Sequence, residues 1–331
     1  MKPFEYARPE TEIEALELIN DHAADTAVLA GGTDLITLLK RELVAPSRVV
    51  DIKRVASMRG VTRADGGVLV GALTSLEDAF ESPLLAGHHS LLHVVDATRA
   101  IQIQQSGTVG GDLCHLPNCW YFRSGYGLLG LEKGESLVET GDNRYHAIFG
   151  NRGLAKFVSA SRFAPAMIAW GARVRIIGPQ PDQEEWLPLE YFYITPRTAR
   201  QGVTVLKPGQ LVSHVWLPEA EQTQSAGYEV IPTEGLDWPL GAAAACLEIE
   251  GGSVRNARIV MGHVAPVPWV AREAAQAVLG RPINENTAEL AGRAAVAAAT
   301  PLSGNGYKVQ IAKTAVKRAL LRAAGMLEGG L

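Results

Sequence analysis

"AVLAGGTDLITLLK", residues 27–40, is the stretch that decides the fold at the start of this chain. An apolar run ends at paired glycines, two polar residues follow, and the rest has helical spacing. This order predicts a strand, a tight turn and a helix. Glycine lets a ligand approach the backbone, and the exposed N–H groups of such a turn can hold an anion. A plain turn with Asp34 as helix cap is the simpler explanation of one isolated pair.

A second glycine pair changes this balance. The segment "SGTVGGDL", residues 106–113, places small and hydroxyl residues around two glycines and ends much like the first loop. Two such loops in one domain suit a pyrophosphate that backbone amides hold from two sides. Spacing alone does not show that the two loops meet. Neither pair has the G-x-G-x-x-G or the G-x-x-x-x-G-K-[ST] spacing, so we expect neither a Rossmann fingerprint nor a P-loop.

The flanking patterns predict the elements around these loops. Thr11 and Glu14 have capping-box spacing before an amphipathic helix, and "RVVDIKRV" predicts a second strand after the first loop. The first fifty or so residues therefore predict a small β-α-β unit. Further along, Thr74 is the expected N-cap of another helix, with Glu77 three residues later.

The last third of the chain has a different character. The polar stretch "EAEQTQSAGYE" indicates a linker or hairpin tip. "GAAAACLEIEGGSVRNARIVMGHVA" predicts two strands around a Gly–Gly turn, and two Ala-rich segments and one long segment predict helices. These elements predict an α+β domain with a sheet and a helical layer.

Composition limits the classes of protein that fit. The 331 residues predict two or three domains, and a net charge of -4 does not favour a nucleic-acid partner. No apolar run reaches the ~18 residues of a membrane span, and the N-terminus resembles neither a secretory signal nor a transit peptide. Three cysteines argue against a disulfide scaffold and favour a reducing compartment.

The motifs in their order resemble one family. They are "VLAGGTDLITLLK", "VDIKRV", "VGALTSLEDAF", "QIQQSGTVGGDL", "APAMIAWGARVRI" and "VRNARIVMGHVAPVPWVAREAAQAVLG". Together they resemble the FAD-binding medium subunit of the molybdenum hydroxylases, the xanthine dehydrogenase and carbon monoxide dehydrogenase family. The resemblance implies an α+β fold: a two-subdomain FAD-binding domain of the vanillyl-alcohol-oxidase type, then an α+β C-terminal domain. The implied divisions are residues 1–55, residues 56–220 with an insert at about 114–155, and residues 225–331.

The resemblance also implies the residues that bind FAD. Asp112 stands where the family often has Asn, and Arg162 stands where many relatives have an acid, so the contact of that acid is not carried over. The flavin carries the redox chemistry, so no residue is expected to act as acid, base or nucleophile. The implied FAD-binding residues are Val28, Leu29, Ala30, Gly31, Gly32, Thr33, Asp34, Leu35, Gln102, Gly107, Thr108, Gly110, Gly111 and Asp112.

The segment "LCHLPNCWYFRSGYG" resembles a branch of the family with an extended insert. That branch includes 4-hydroxybenzoyl-CoA reductase and a periplasmic aldehyde oxidoreductase, whose insert holds a [4Fe–4S] cluster on four cysteines. Here only Cys114 and Cys119 lie nearby, so we expect the insert without the cluster. His115 and His146 fit no zinc spacing with them, and we expect no metal in this chain.

Two other groups of residues leave alternatives open or suggest no site. Tyr191 and Tyr193 fit a position near a flavin ring and a role as buried loop anchors about equally well. His88, His89 and His93 lack the H-E-x-x-H pattern, and we expect them at the surface or at a helix end.

The resemblance implies an electron-transfer subunit. FAD would pass electrons from [2Fe–2S] clusters in a small partner subunit to an external acceptor, and a large subunit would hold the molybdopterin cofactor. The branch favours an aldehyde substrate. A flavin-free scaffold subunit and a stand-alone flavoprotein reductase are the alternatives. We expect a cytoplasmic protein, or a periplasmic one that is exported with a signal-bearing partner.

Overall fold

The structure is a computed structural model that describes residues 1–233 and 237–327. Its helices are short except for the last two, and most of its strands belong to three sheets. The strands are β1 (Glu5–Ala7), β2 (Thr26–Leu29), β3 (Arg48–Asp51), β4 (Val61–Ala64), β5 (Gly67–Gly71), β6 (Leu131–Glu132), β7 (Glu135–Ser136), β8 (Arg173–Ile177), β9 (Glu184–Pro188), β10 (Leu211–Pro218), β11 (Thr223–Val230), β12 (Gly241–Glu250), β13 (Ser253–Gly262) and β14 (Trp269–Val270). The α-helices are α1 (Glu12–Asn20), α2 (Leu35–Lys40), α3 (Leu76–Glu81), α4 (His89–Ala97), α5 (Ile101–Ser106), α6 (Val109–Leu113), α7 (Trp120–Arg123), α8 (Leu137–Thr140), α9 (Phe163–Ala169), α10 (Arg272–Val278), α11 (Glu285–Val296) and α12 (Tyr307–Ala323).

The N-terminal sheet is parallel, in the order β1-β3-β2, and confirms the predicted β-α-β unit. Thr11 caps α1 by accepting a hydrogen bond from the amide of Glu14 at 3.2 Å. The Glu14 carboxylate accepts from the amide of Glu10 at 2.8 Å, one residue before the cap, so the predicted box is closed one position early. Strand β1 was missing from the prediction because three residues are too few to show a period.

The second sheet is antiparallel, in the order β4-β5-β10-β8-β9. Its core includes apolar residues of α3, α4, α6 and α9. The prediction that Thr74 caps α3 was wrong: Ser75 accepts from the amide of Asp78 at 3.0 Å, while the buried Thr74 hydroxyl donates to the carbonyl of Gly60. Thr74 and Ser75 are adjacent and both have the hydroxyl that an N-cap needs, so the local sequence does not distinguish them. The path of the backbone places Ser75 at the cap position.

The C-terminal domain has the antiparallel sheet β11-β12-β13-β14, with α10, α11 and α12 sharing one apolar cluster with it. The predicted hairpin is confirmed, with Gly251 and Gly252 at φ 59° and 79° between β12 and β13. These positive angles are typical of a tight hairpin turn and favour glycine. The predicted polar linker is shorter than expected, because β11 already begins at Thr223.

The insert contains α7, the small β6–β7 hairpin and α8, and it contacts the C-terminal domain. The buried ammonium of Lys308, at the start of α12, donates to the carbonyls of Tyr145, His146 and His263 at 3.1, 3.1 and 2.8 Å. Burial lowers the pKa of Lys308 to about 7. One side chain therefore joins the insert to the residue that follows strand β13.

The predicted α+β fold with a C-terminal sheet and helical layer is confirmed. His88 is the N-cap residue of α4, which is one of the two positions expected for it, but its ring is buried against Trp170. Tyr193 is a buried anchor whose hydroxyl donates to the carbonyl of Leu113 at 3.1 Å, whereas Tyr191 is exposed. Among residues 1–233 and 237–327, no helix is long and apolar enough to cross a membrane.

Candidate functional site

The first glycine loop, residues 30–34, joins β2 to α2. Gly32 has a φ of 78°, which side chains rarely adopt. Within the described part of the chain, the backbone N–H groups of residues 30–34 donate to no protein acceptor. Most backbone N–H groups in folded proteins are paired, so a run of free ones is a concentrated set of donors. Such a run can hold an anion.

The two glycine segments meet in space, which spacing alone could not establish. A Cβ on Gly31 would lie 1.9 Å from the carbonyl oxygen of Ser106 and 3.2 Å from the Cα of Gly107. Real Cβ atoms do not approach a backbone oxygen so closely. Glycine at position 31 is therefore required by the close approach of the second segment.

The second segment differs from the first. It contains helix α6, with Thr108 as N-cap accepting from the amide of Gly111 at 3.1 Å. The amide of Gly110 donates to the carbonyl of Ala72 at 2.8 Å, and that of Val109 donates to Thr74 at 3.0 Å. The amides of Val109, Gly110 and Gly111, which lie in the segment predicted to hold a pyrophosphate from the second side, thus donate to acceptors within the protein.

A cleft of about 270 Å³ lies beside the junction of these segments. Of the fourteen predicted residues, Thr33, Asp34, Gly107, Thr108 and Asp112 line it. The others lie beside it: residues 28–32 and Leu35 in β2, the first loop and α2, Gly110 and Gly111 in α6, and Gln102 on α5 with an exposed side chain. The remaining described lining residues are Thr37, Leu76, Thr98, Ala100, Ile103, His115, Asn118, Arg123, Arg162, Phe163, Asp237 and Trp238.

Asp34 does not cap α2 with its side chain, contrary to the simpler prediction. Its carboxylate accepts from Nη1 of Arg123 at 2.6 Å and from the amide of Leu116 at 3.1 Å. Arg123 also donates to the carbonyls of Pro117 and Leu116. The insert is thereby held against the first loop, and the Asp34–Arg123 pair adds little net charge to the cleft.

Asp112 is held by three donors. Its carboxylate accepts from the hydroxyl of Ser161 and from the amides of Arg162 and Phe163 at 3.1 and 3.0 Å. Burial raises the pKa of Asp112, and these hydrogen bonds act in the opposite direction. The Asp112 carboxylate thus accepts its hydrogen bonds from residues 161–163 of the protein itself.

Arg162 and Arg123 are cleft residues that sequence reasoning did not assign to the site. The Arg162 guanidinium forms a two-point pair with Glu229 of strand β11, and both side chains are largely buried. The pair links the cleft to the C-terminal sheet. Both arginines adjoin aromatic residues in sequence, but their partners lie 67 and 89 residues away, and no local pattern reports such distances.

Both parts of the chain match families of known proteins. Residues 2–220 match the family described as "FAD binding domain in molybdopterin dehydrogenase", and residues 226–323 match "CO dehydrogenase flavoprotein C-terminal domain". The medium chain of carbon monoxide dehydrogenase from Hydrogenophaga pseudoflava is 25% identical over 325 residues, covering 96% of each chain. The FAD-binding subunit of an aldehyde oxidoreductase from Escherichia coli (strain K12) is 27% identical over 334 residues, covering 98% of this chain and 99% of that one.

The fold is also found among solved structures. A chain of carbon monoxide dehydrogenase from Hydrogenophaga pseudoflava, in a form that lacks the Mo-pyranopterin moiety of the molybdenum cofactor, superposes with a TM-score of 0.76. The two chains are 24% identical, and the match covers 99% of this chain and 100% of that one. At this identity the comparison supports a shared fold.

Proposed function

The chain belongs to the family of FAD-binding domains of molybdopterin dehydrogenases, and we propose from this that it is the FAD-carrying electron-transfer subunit of a molybdenum hydroxylase. The observation that carries the proposal is the run of amides at residues 30–34 beside a cleft, which donate to no acceptor among the described residues. Backbone amides at a glycine turn match the charge and shape of a pyrophosphate.

The residues present fit FAD. The first loop would hold the pyrophosphate with its free amides and the Thr33 hydroxyl, and Thr108 would add a hydroxyl from the opposite side. The aromatic rings of Phe163 and Trp238 line the same cleft and offer apolar surface to a flat ring system. When bound, FAD supplies the redox chemistry. The chain itself binds and orients it and limits its exposure to water.

We further propose the partners and the division of the chain. A small subunit with [2Fe–2S] clusters would deliver electrons, and a large subunit with the molybdopterin cofactor would oxidise the organic substrate. Residues 1–55 and 56–220 would form the FAD-binding part, with the insert at about 114–155, and residues 225–331 the C-terminal domain. The three cysteines of the chain form no disulfide, which favours a cytoplasmic location.

The substrate class that we propose is aldehydes. Support comes from the aldehyde oxidoreductase relative, which is 27% identical over nearly its whole length. The carbon monoxide dehydrogenase medium chain is almost as similar, at 25% identity, so overall identity does not separate the two substrate classes. The aldehyde proposal therefore also depends on the resemblance of the insert to that of the aldehyde oxidoreductase branch. Xanthine-type N-heterocycles are the other substrate class to test.

The test begins with the complex purified through a tag on this chain. Flavin and iron are quantified per chain after the subunits are separated, and we expect about one FAD and no iron on this subunit. Benzaldehyde or xanthine is then added to the intact complex without oxygen, and bleaching of the flavin absorption is followed.

The results distinguish the proposed function and substrate from their alternatives. Bleaching by benzaldehyde and not by xanthine supports the aldehyde proposal, and the reverse overturns it. A complex without flavin makes this chain a scaffold subunit. Reduction of the flavin by NADH in the isolated chain would favour a stand-alone reductase.

A further inference from the structure

The cleft beside the first loop contains two described arginines, which differ in what their guanidinium groups can still offer a ligand. All three nitrogens of Arg123 already donate, one to the carboxylate of Asp34 and two to backbone carbonyls of the insert. In Arg162, Nε and Nη2 donate to Glu229, whereas Nη1 donates to no described residue. Of the two, Arg162 is therefore the arginine with a nitrogen available to a ligand.

The available nitrogen of Arg162 is open to the cleft. Nε and Nη2 form one edge of the planar guanidinium, and this edge takes both carboxylate oxygens of Glu229. The adjoining edge carries Nη1 and the second N–H of Nη2, which lie side by side and match two oxygens of a phosphate. The side chain is 12% exposed, and Nη1 is not one of the described buried nitrogens that lack a partner. A molecule in the cleft can therefore reach this edge.

The ion pair of Arg162 and Glu229 presents its positive end to the cleft. Arg162 lines the cleft, whereas Glu229, in strand β11, is 6% exposed and lies outside the lining. A buried pair in this orientation adds no net charge to the interior and still offers a cation to a ligand on one side. Glu229 also holds the guanidinium in place, so less side-chain freedom is lost when a ligand binds.

Arg162 lies next to the second glycine segment. Its amide donates to the carboxylate of Asp112 at 3.1 Å, and Asp112 belongs to α6, the helix that Thr108 caps. The first loop lines the same cleft through Thr33 and Asp34. Because the amides of the second segment donate within the protein, the guanidinium of Arg162 is the strong donor that remains near that segment.

We propose that Arg162 binds the pyrophosphate of FAD through the free edge of its guanidinium. The inference rests on the proposed function of the chain as an FAD subunit. Pyrophosphate oxygens would accept from Nη1 and Nη2 of Arg162, while the amides of residues 30–34 hold the same group from the first loop. The second side of the pyrophosphate site is then a side chain and not a second glycine turn.

The test measures ligand binding to the complex after its FAD has been removed. FAD and ADP share the pyrophosphate, whereas riboflavin has the flavin ring and no phosphate. FAD and riboflavin are titrated by flavin fluorescence, and ADP by isothermal titration calorimetry. Arg162→Lys keeps a charge that can pair with Glu229, but its single nitrogen leaves no free edge for a ligand. We expect FAD and ADP to bind about tenfold or more weakly to this variant, and riboflavin within about twofold of the wild type.

Two further variants separate a binding role from a structural one. Arg258→Lys is the matched control, because Arg258 also pairs with a glutamate, Glu190, at 2.9 Å but lies outside the cleft. The double variant Arg162→Met/Glu229→Met removes both charges, so no buried carboxylate is left without a partner. We expect the double variant to bind FAD and ADP as weakly as Arg162→Lys, and Arg258→Lys to bind both like the wild type. Urea unfolding checks that each variant is folded.

Each result decides the proposal. Weaker binding of FAD and ADP, but not of riboflavin, in both Arg162 variants supports it. Unchanged FAD binding in either of them, an equal loss in Arg258→Lys, or no ADP binding to a wild type that binds FAD overturns it. A loss of FAD and riboflavin affinity with unchanged ADP affinity would place Arg162 at the ring system and would overturn the pyrophosphate assignment.

The same measurements distinguish failure here from failure of the proposed function. A complex that binds FAD without dependence on Arg162 overturns only this inference. A complex that binds no FAD, but whose ADP binding still depends on Arg162, overturns only the FAD subunit proposal. A complex that binds neither ligand overturns both.

Discussion

The two glycine pairs of this chain look alike in sequence and differ in what they do with their backbones. Around Gly31–Gly32 the amides of residues 30–34 have no acceptor in the described part of the protein and lie beside the cleft. At Gly110–Gly111 the amides bond to Ala72 and to the side chain of Thr108, and the glycines start a helix. The first pair is free to bind a ligand, whereas the second pair packs the domain.

The difference teaches that a glycine-rich segment has two distinct uses. Glycine can expose backbone donors, and it can also let two parts of a protein approach closely. Gly31 serves both, since it touches Ser106 while its neighbours keep free amides. Gly110 is needed for close packing, because a Cβ there would lie 2.7 Å from the Cβ of Ala72.

The largest effect is expected at Gly31, where a substitution tests whether the first glycine pair binds the ligand. Gly31→Ala forces the loop away from Ser106, because its Cβ would lie 1.9 Å from that carbonyl oxygen. We expect the FAD content per folded chain to fall at least tenfold, measured by flavin absorption after gel filtration. Gly153→Ala is the control, since a Cβ there has no neighbour within 4 Å. Full FAD content in Gly31→Ala would contradict the binding role of the first loop.

A smaller and different effect is expected at Gly110. Gly110→Ala overpacks the contact with Ala72, which costs about 1–3 kcal/mol, while the better helix propensity of alanine returns up to about 1 kcal/mol. The free energy of unfolding, measured in urea, should therefore fall, with Gly153→Ala unchanged. FAD content per folded chain should stay near that of the wild type. A selective loss of FAD without loss of stability would mean that the second pair also binds the ligand.

The smallest effect is expected at Asp112, just after the second pair. Asp112→Asn removes one acceptor oxygen from three donors but also removes a buried charge, so we expect a change within about 1 kcal/mol at pH 7. Burial raises the pKa of Asp112 above 3.8, so the folded state keeps a proton that the unfolded state loses. The stability of the wild type relative to Asp112→Asn should fall as the pH rises from 3.8 through the folded pKa.

Urea unfolding of both proteins across this pH range checks the prediction. If the stability of the wild type relative to Asp112→Asn instead rises with pH, the three hydrogen bonds lower the pKa of Asp112 more than burial raises it. The pKa of Asp112 would then lie below its ordinary value.

The sequence by itself determined the local elements of this protein and the class of its ligand. Apolar runs, glycine pairs and helical periods predicted β2, α2, β3 and the β12–β13 hairpin, because each depends on residues close together in the chain. The order of these motifs was sufficient to identify the family.

Only the tertiary structure decided which polar groups are free and which are paired. It moved the Asp34 carboxylate from an expected cap to Arg123, 89 residues away, and engaged the Gly110 amide with Ala72. It also paired Arg162 with Glu229, 67 residues away. The physical reason is that a backbone or side-chain group bonds to whatever partner packing places within about 3 Å, and partners distant in sequence leave no local pattern.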